Sequence, residues 1–152
     1  MQFIDVTGHS ELKLKLTEAV NDSRISYSIM FTGPEGTGKL QLAIAWAQYI
    51  LCTGEKEKDS CGKCPSCIKF KNLVHPDLHF VFPVNKTKSN TKDNPVSDSF
   101  IKEWRKFITD NYDFQLSDWL NYIGIENKQG IISVHESASI FKKMSYKTYE
   151  GE

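Results

Sequence analysis

The sequence predicts an α/β domain built around one helix, which connects a phosphate-binding loop to a metal site. Three adjacent features support this prediction. Residues 29–31 form a short apolar run typical of a buried strand, residues 33–39 form a glycine-rich loop, and residues 40–51 form an almost wholly apolar helix. Cys52 ends that helix, and the three other cysteines of the chain follow soon after it.

The glycine-rich loop matches the first seven positions of the P-loop pattern G-x-x-x-x-G-K. Its glycines allow backbone conformations closed to other residues, so a phosphate can approach the main-chain N–H groups and the N-terminus of the following helix. Lys39 adds a full positive charge for the β- and γ-phosphates. The predicted nucleotide-binding residues are Gly33, Pro34, Glu35, Gly36, Thr37, Gly38, Lys39 and Leu40.

The eighth position of the loop departs from the pattern. It holds Leu40, where the pattern requires a Ser or Thr hydroxyl to bind Mg²⁺. Phosphoryl transfer depends on that metal to neutralise developing charge. We therefore expect a loop that can bind ATP or ADP but hydrolyses it weakly or not at all, and we assign no catalytic residue. The alternative is a glycine-rich turn that holds no ligand.

The four cysteines follow the pattern C-x8-C-x2-C-x2-C. Gly62 allows a tight turn between the second and third of them, so that their thiolates can converge on one ion. Four thiolates with no open position are typical of a structural tetrahedral zinc site. The predicted metal ligands are Cys52, Cys61, Cys64 and Cys67.

Other states of these cysteines remain as alternatives. An iron–sulfur cluster also uses C-x2-C-x2-C spacing, and the thiols can instead be free and buried. Disulfides are disfavoured because the sequence lacks a signal peptide and a P-loop indicates the cytosol. His75 is interpreted as a turn residue and His79 as one face of a strand, since four thiolates already complete the site.

The remaining elements follow from apolar periodicity and turn residues. Residues 80–82 read as a buried strand ended by Pro83, residues 85–98 as a polar mobile loop, and residues 131–134 as an extended segment. Trp104 and Trp119 must be buried, either over the domain or against a neighbouring subunit. Helices are predicted at 11–20, at 67–73, along an apolar stripe from 100 to 108, and from 117.

Composition suits a single globular domain. The chain has 152 residues, of which 39% are hydrophobic, and its formal net charge is zero. A neutral chain is not expected to bind nucleic acid through its own charge. No apolar run reaches transmembrane length, and we expect a cytoplasmic protein without a membrane partner.

A P-loop helix ending in Cys52 and followed by C-x2-C-x2-C resembles the bacterial DNA polymerase III clamp loader, an AAA+ assembly. Residues 3–33 are similar to the family's N-terminal helix and first strand, residues 75–82 to its second strand, and residues 145–151 to the segment before the Walker B strand. The resemblance also implies a helix from 135 or 136 to 144, as the family's helix before Walker B. The resemblance implies that residues 1–152 are the N-terminal part of an AAA+ domain, a three-layer P-loop NTPase fold with a parallel sheet. A zinc module at 52–67 is embedded in it. The resemblance fails over residues 84–130, which we interpret as an insertion that the family's usual pattern lacks.

The same resemblance implies a function. In this family the gamma/tau motor subunit keeps Thr or Ser after the loop lysine, whereas the delta-prime subunit has a degenerate loop. Lys39 followed by Leu40 is nearer delta-prime. The implied function is a non-hydrolysing subunit that helps load the sliding clamp onto primed DNA during replication, with gamma/tau, delta, the clamp and primed DNA as partners.

Four alternative functions remain: the gamma/tau ATPase motor, a generic P-loop nucleotide-binding protein, a P-loop kinase with a zinc lid, and an interaction module whose loop is a relic. The sequence ends before a Walker B strand, and with Leu40 this leads us to expect no ATP hydrolysis. In an AAA+ sheet the first two strands are not neighbours. We therefore expect this chain to pair its strands differently from the family, or to complete a sheet with another copy.

Overall fold

A computed structural model of the chain describes residues 1–88, 93–111, 113–125 and 128–148. The described residues up to Leu78 form one unit, and those from His79 onward form a second. Two short 3₁₀ turns, Phe3–Asp5 and Ser97–Phe100, accompany the α-helices. The helices in the described residues are α1 (Ser10–Asn21), α2 (Lys39–Ile50), α3 (Pro65–Lys71), α4 (Ile101–Asp110), α5 (Leu116–Tyr122) and α6 (Val134–Met144).

The first unit is organised around α2, whose side chains are apolar on nearly every face and therefore buried. Leu42, Ala45 and Tyr49 of this helix are at most 2% exposed. They belong to a core cluster that also includes Phe3, Val6, Leu16 and Trp46. The Trp46 indole N–H donates a hydrogen bond to the Leu16 carbonyl at 3.2 Å, which ties α2 to α1.

Both ends of α2 are fixed by specific contacts. Gly38 precedes the helix with a φ of 70°, a left-handed conformation that glycine adopts without strain. At the other end, the Lys56 ammonium donates hydrogen bonds to the carbonyls of Tyr49 at 3.0 Å and Ile50 at 3.2 Å. These bonds satisfy carbonyls that the last turn of a helix leaves without an intrahelical partner. The chain then turns immediately into Cys52.

The second unit has an aromatic core. The ring of Trp104 stacks on Phe82, with centroids 4.2 Å apart and planes at 15°. Trp119 meets Trp104 edge-on at 4.9 Å and is fully buried. Its indole N–H donates to the Pro83 carbonyl at 3.0 Å. The two tryptophans that the sequence requires to be buried therefore lie against each other, inside the unit that contains them.

Polar contacts join α6 to the 3₁₀ turn Ser97–Phe100. The Ser97 N–H donates to a carboxylate oxygen of Glu136 at 2.6 Å, and both residues are buried. Lys143 forms an ion pair with Asp98 at 2.6 Å. Ser97 also bonds the backbone of Phe82 twice, since its hydroxyl accepts from the N–H at 3.0 Å and donates to the carbonyl at 3.1 Å.

The predicted helices are confirmed, each close to its predicted position. The predicted parallel sheet is not confirmed. The described residues contain no β-strand, and sheet-type pairing among them is limited to one antiparallel bridge between Val84 and Ile131. None of the described helices is long and apolar enough to cross a membrane. The predicted loop at 85–98, the insertion at 84–130 and the segment at 145–151 lie partly outside the described residues.

The absence of a sheet among the described residues has a physical reason. The predicted strands at 29–31 and 80–82 belong to different units. Residues 29–31 make no backbone–backbone hydrogen bond with any described residue, and Phe31 instead packs its ring edge-on against Trp46 at 6.3 Å. At 82 a serine side chain satisfies the backbone groups that a neighbouring strand would otherwise bond.

We expect Ser97→Ala to destabilise the chain by about 1–3 kcal/mol, because it leaves the buried N–H of Phe82 without its acceptor. Urea unfolding followed by far-UV circular dichroism measures this change. Ser137→Ala, on the exposed side of α6, is the matched control and should shift the free energy of unfolding by less than about 0.5 kcal/mol. Equal effects of the two substitutions would contradict the role given to Ser97.

Candidate metal centre and glycine-rich loop

The four predicted metal ligands lie together. The Sγ atoms of Cys52, Cys61, Cys64 and Cys67 are all within 4.8 Å of one another. Cys52 follows the end of α2, Cys64 caps α3, and Cys67 lies within α3. Cysteines from two helix ends and the intervening turn therefore converge on one point, as their spacing predicts.

Backbone N–H groups point at the sulfurs. The N–H of Cys61 bonds the Sγ of Cys52 at 3.3 Å, that of Cys64 bonds the Sγ of Cys61 at 3.3 Å, and that of Cys67 bonds the Sγ of Cys64 at 3.4 Å. Such bonds favour the thiolate form. Gly62 has a φ of 69°, which allows the tight turn between the second and third cysteines.

The sulfur positions fit one tetrahedral ion. Metal–sulfur bonds of 2.3 Å give a tetrahedron with sulfur–sulfur edges of about 3.8 Å. The Cys52–Cys64 and Cys61–Cys67 pairs are each 4.0 Å apart. A disulfide needs sulfurs about 2 Å apart, and all four cysteines are free in the structure.

The four thiols differ in acidity because their surroundings differ. Burial raises the pKa of Cys67 to about 12, with a hydrogen bond to Cys64 adding to it, and burial also raises the pKa of Cys52. Burial opposes ionisation of Cys64 too, but the Cys67 N–H and contacts with Thr53 outweigh it and lower the pKa to about 5. N–H groups of Lys63 and Cys64 lower the pKa of Cys61. One thiol is therefore ionised first, and a bound cation would stabilise the charge of all four.

Polar side chains around the cluster hold its ligands in place. Gln48 of α2 donates from its amide to the hydroxyl of Ser60 at 2.9 Å, directly before Cys61. Ser66 donates to the Leu51 carbonyl at 2.6 Å, which fixes α3 against the end of α2. A Cβ at Gly54 would lie 2.6 Å from the Cys61 sulfur, so only glycine fits there.

None of these supporting residues was predicted from the sequence. Gln48 carried a recognisable signal, because it is a polar residue within a helix that is otherwise apolar on nearly every face. Ser60 and Ser66 carried no comparable signal. Both are common loop and turn residues, and their contacts become visible only in three dimensions.

The glycine-rich loop is exposed except near the start of α2. Gly36 has a φ of 72° and Gly38 a φ of 70°, as a loop that turns its N–H groups inward requires. Lys39 is folded back on its own loop, where its ammonium bonds the Pro34 carbonyl and the Thr37 hydroxyl, the latter at 3.3 Å. Leu40 follows it as the second residue of α2. A phosphate that engaged Lys39 would have to replace these contacts.

His9 contacts the loop from the start of α1, and sequence reasoning gave it no role of its own. Its Nε2 lies 2.8 Å from the Thr37 carbonyl oxygen. A cavity of about 280 Å³ opens beside this contact, with walls that include Leu12, Leu16, Phe31 and Lys39. The loop is therefore braced by α1 on one side, next to an apolar hollow.

Comparisons with known proteins bear on this arrangement. The family model described as DNA polymerase III, delta subunit, matches residues 8–152. DNA polymerase III subunit delta' from Bacillus subtilis (strain 168) is 30% identical over 87 residues, which cover 57% of this chain and 26% of that protein. DNA polymerase III subunit tau from the same organism is 26% identical over 92 residues, or 60% of this chain and 16% of that protein.

Similarity extends to plants, since Protein STICHEL from Arabidopsis thaliana is 36% identical over 86 residues, covering 57% of this chain and 7% of that protein. No solved structure gives a significant match. The chain thus spans about a quarter of the length of the delta' relative and a smaller share of the other two.

We predict that metal affinity falls as the pH falls. Cys52 and Cys67 have raised pKa values, so both are protonated at pH 7 and each must release a proton when metal binds. Cys64, with a pKa of about 5, is already a thiolate there. Release of at least two protons weakens the apparent affinity by about 100-fold or more for each pH unit lost.

Competition with a chelator of known pH dependence, between about pH 6 and pH 8, measures this slope. Proton release during zinc binding, followed in a weakly buffered solution, provides an independent count. An affinity that did not change across this range would contradict the assignment of these thiols as ligands.

Proposed function

Because this chain belongs to the DNA polymerase III delta subunit family, as its resemblance to the clamp loader predicted, we propose that it is a non-hydrolysing clamp-loader subunit. The observation that carries the proposal is the pairing of two features on α2. The helix starts at a glycine-rich loop whose lysine is followed by Leu40, and it ends at a cluster of four cysteines.

The proposed role is to help load the sliding clamp onto primed DNA during replication. The partners would be gamma/tau-type and delta-type subunits, the clamp, and primed DNA through the assembled complex, all in the cytoplasm. Leu40 favours a delta-prime subunit over a gamma/tau motor, because a leucine side chain cannot bind Mg²⁺ at the place where a motor needs it.

The proposed cofactor of the cysteine cluster is one structural zinc ion held by Cys52, Cys61, Cys64 and Cys67. Sulfur–sulfur distances of 4.0 Å suit a single tetrahedral ion, and four ligands leave no position for a reacting water. Elemental analysis of the purified chain should give about one zinc per chain. Iron in place of zinc would favour the iron–sulfur alternative.

The proposed nucleotide site consists of residues 33–40. Its backbone N–H groups would bind the phosphates of ATP or ADP, and Lys39 would turn from the Pro34 carbonyl to the phosphates. Binding without hydrolysis is expected, since the side chain after the lysine has no oxygen.

We predict that Lys39→Ala weakens ATP binding about tenfold or more, because a charge-assisted contact to phosphate is lost. Isothermal titration calorimetry measures the affinity, and release of inorganic phosphate measures hydrolysis. Leu40→Thr is the matched variant and should make binding depend on Mg²⁺. Hydrolysis of ATP by the unaltered chain would overturn the non-hydrolysing assignment and favour the gamma/tau motor.

Assembly is the direct test of the proposed function. The chain, loaded with zinc, is mixed with the tau-type and delta-type subunits encoded in the same genome and run on a size-exclusion column. We expect the three to elute as one complex in the presence of ATP. If the tau-type and delta-type subunits assemble with each other but leave this chain in its own peak, the clamp-loader role is wrong.

A further inference from the structure

The N-terminal segment Gln2–Val6 is fastened to the residues directly before Cys61. Both carboxylate oxygens of Asp59 accept from this segment, one from the Phe3 N–H at 3.0 Å and the other from the Ile4 N–H at 2.9 Å. Asp59 also accepts from the Ser60 N–H at 2.7 Å. One carboxylate thus bonds both the N-terminal segment and the residue before the turn at 61–64, which we call the cysteine turn.

A second contact joins the N-terminal segment to the same residues. The Gln2 side-chain amide donates to the Ser60 carbonyl. The same side chain is so close to Gly62 that a Cβ there would lie 2.8 Å from its oxygen. The N-terminal segment therefore touches the cysteine turn on both sides of Cys61.

The other end of the segment lies against the glycine-rich loop. Val6 is 5% exposed, and its side chain would contact a Cβ placed on Gly38 at 3.8 Å. The Val6 carbonyl accepts from the Lys13 ammonium of α1. Between its ends the segment is anchored in the core by Phe3, whose ring packs on Tyr49 of α2 at 5.7 Å. The segment is thus a second physical connection, beside α2, between the cysteine cluster and the loop.

We propose that Asp59 is a positioning residue through which metal binding at the cysteine cluster orders the glycine-rich loop. The inference rests on the proposed zinc site, and it adds a role to Asp59 and to residues 2–6 that the clamp-loader assignment does not supply. Metal binding fixes Cys61, and the short stretch of chain between the two residues then fixes the position of Asp59. Asp59 in turn holds the N-terminal segment, and the Val6 side chain at the end of that segment lies beside Gly38, within 3.8 Å of where a Cβ would stand.

Loss of the metal removes this restraint because the ion is the shared bonding partner of the four sulfurs. The ion would bond four sulfurs that lie within 4.8 Å of one another, so its loss removes the bonds that join Cys61 and Cys64 to Cys52 and Cys67, and the turn at 61–64 loosens. Asp59 then loses its fixed position relative to the N-terminal segment. The segment and the loop it braces are expected to become more open to solvent.

Hydrogen–deuterium exchange of the full chain, with zinc bound and after removal of zinc by a chelator, tests the proposal. We expect removal to raise exchange in peptides from residues 1–8 and 33–42 about fivefold or more, beyond the rise in the cysteine turn itself. Peptides from the second half of α1 should change little. An unchanged loop, or an equal rise across all of the first unit, would overturn the proposal.

Asp59→Asn tests the residue itself. The variant keeps the shape of the side chain but replaces one acceptor oxygen with an amide nitrogen, so the bond from the Phe3 or Ile4 N–H is lost. We expect exchange in residues 33–42 to be raised already with zinc bound, and zinc removal to add little more. Asp22→Asn, which makes the same change at an exposed ion pair with Arg24, should behave as the unaltered chain.

The measurements separate this inference from the proposed function. Metal content is determined on every sample, so a chain without zinc refutes the metal site, and the inference with it, before exchange is considered. A chain that binds zinc and joins the clamp-loader complex, yet shows no zinc effect on loop exchange, refutes only the role of Asp59. Because exchange needs no nucleotide, the result does not depend on ATP binding. If Asp59→Asn fails to fold, the comparison of the unaltered chain with and without zinc still tests whether zinc orders the glycine-rich loop.

Discussion

The burial of α2 on almost every side is the constraint from which the rest of the first unit follows. A helix with so little polar surface is stable only when other elements cover it. Residues of α1 and the N-terminal segment pack against α2, and α3 is bonded to its end. Twelve helical residues set a length of about 18 Å between the glycine-rich loop and the cysteine cluster. The two candidate sites are thereby fixed relative to each other by one element.

Most of the buried polar groups of the first unit lie toward the cysteine end of α2. Gln48 and Ser60 are at most 3% exposed and bond each other, and Ser66 bonds the end of the helix. Buried polar groups are costly unless each has a partner, so this arrangement specifies one packing of the turn. The loop end is different, since its contacts are exposed and can be exchanged for those of a ligand.

The helices and the cysteine cluster could be predicted because their signals are local. Apolar periodicity places α4, and the spacing of the four cysteines predicts that they converge. The contacts of Asp59 with Phe3 and Ile4 could not be predicted, because they join residues more than 50 positions apart and involve common side chains.

The predicted strands are not confirmed, for a related reason. An apolar run such as 80–82 indicates burial, but whether it becomes a strand depends on a neighbour, and here Ser97 supplies the backbone contacts instead.

The uneven placement of the three tryptophans has an optical consequence. Trp104 and Trp119 are close enough in the second unit to share excitation, whereas Trp46 alone lies in the first. Intrinsic emission is therefore weighted toward the aromatic core of the second unit. A melting curve recorded by tryptophan fluorescence reports chiefly on the second unit, so unfolding of the first unit needs a separate probe.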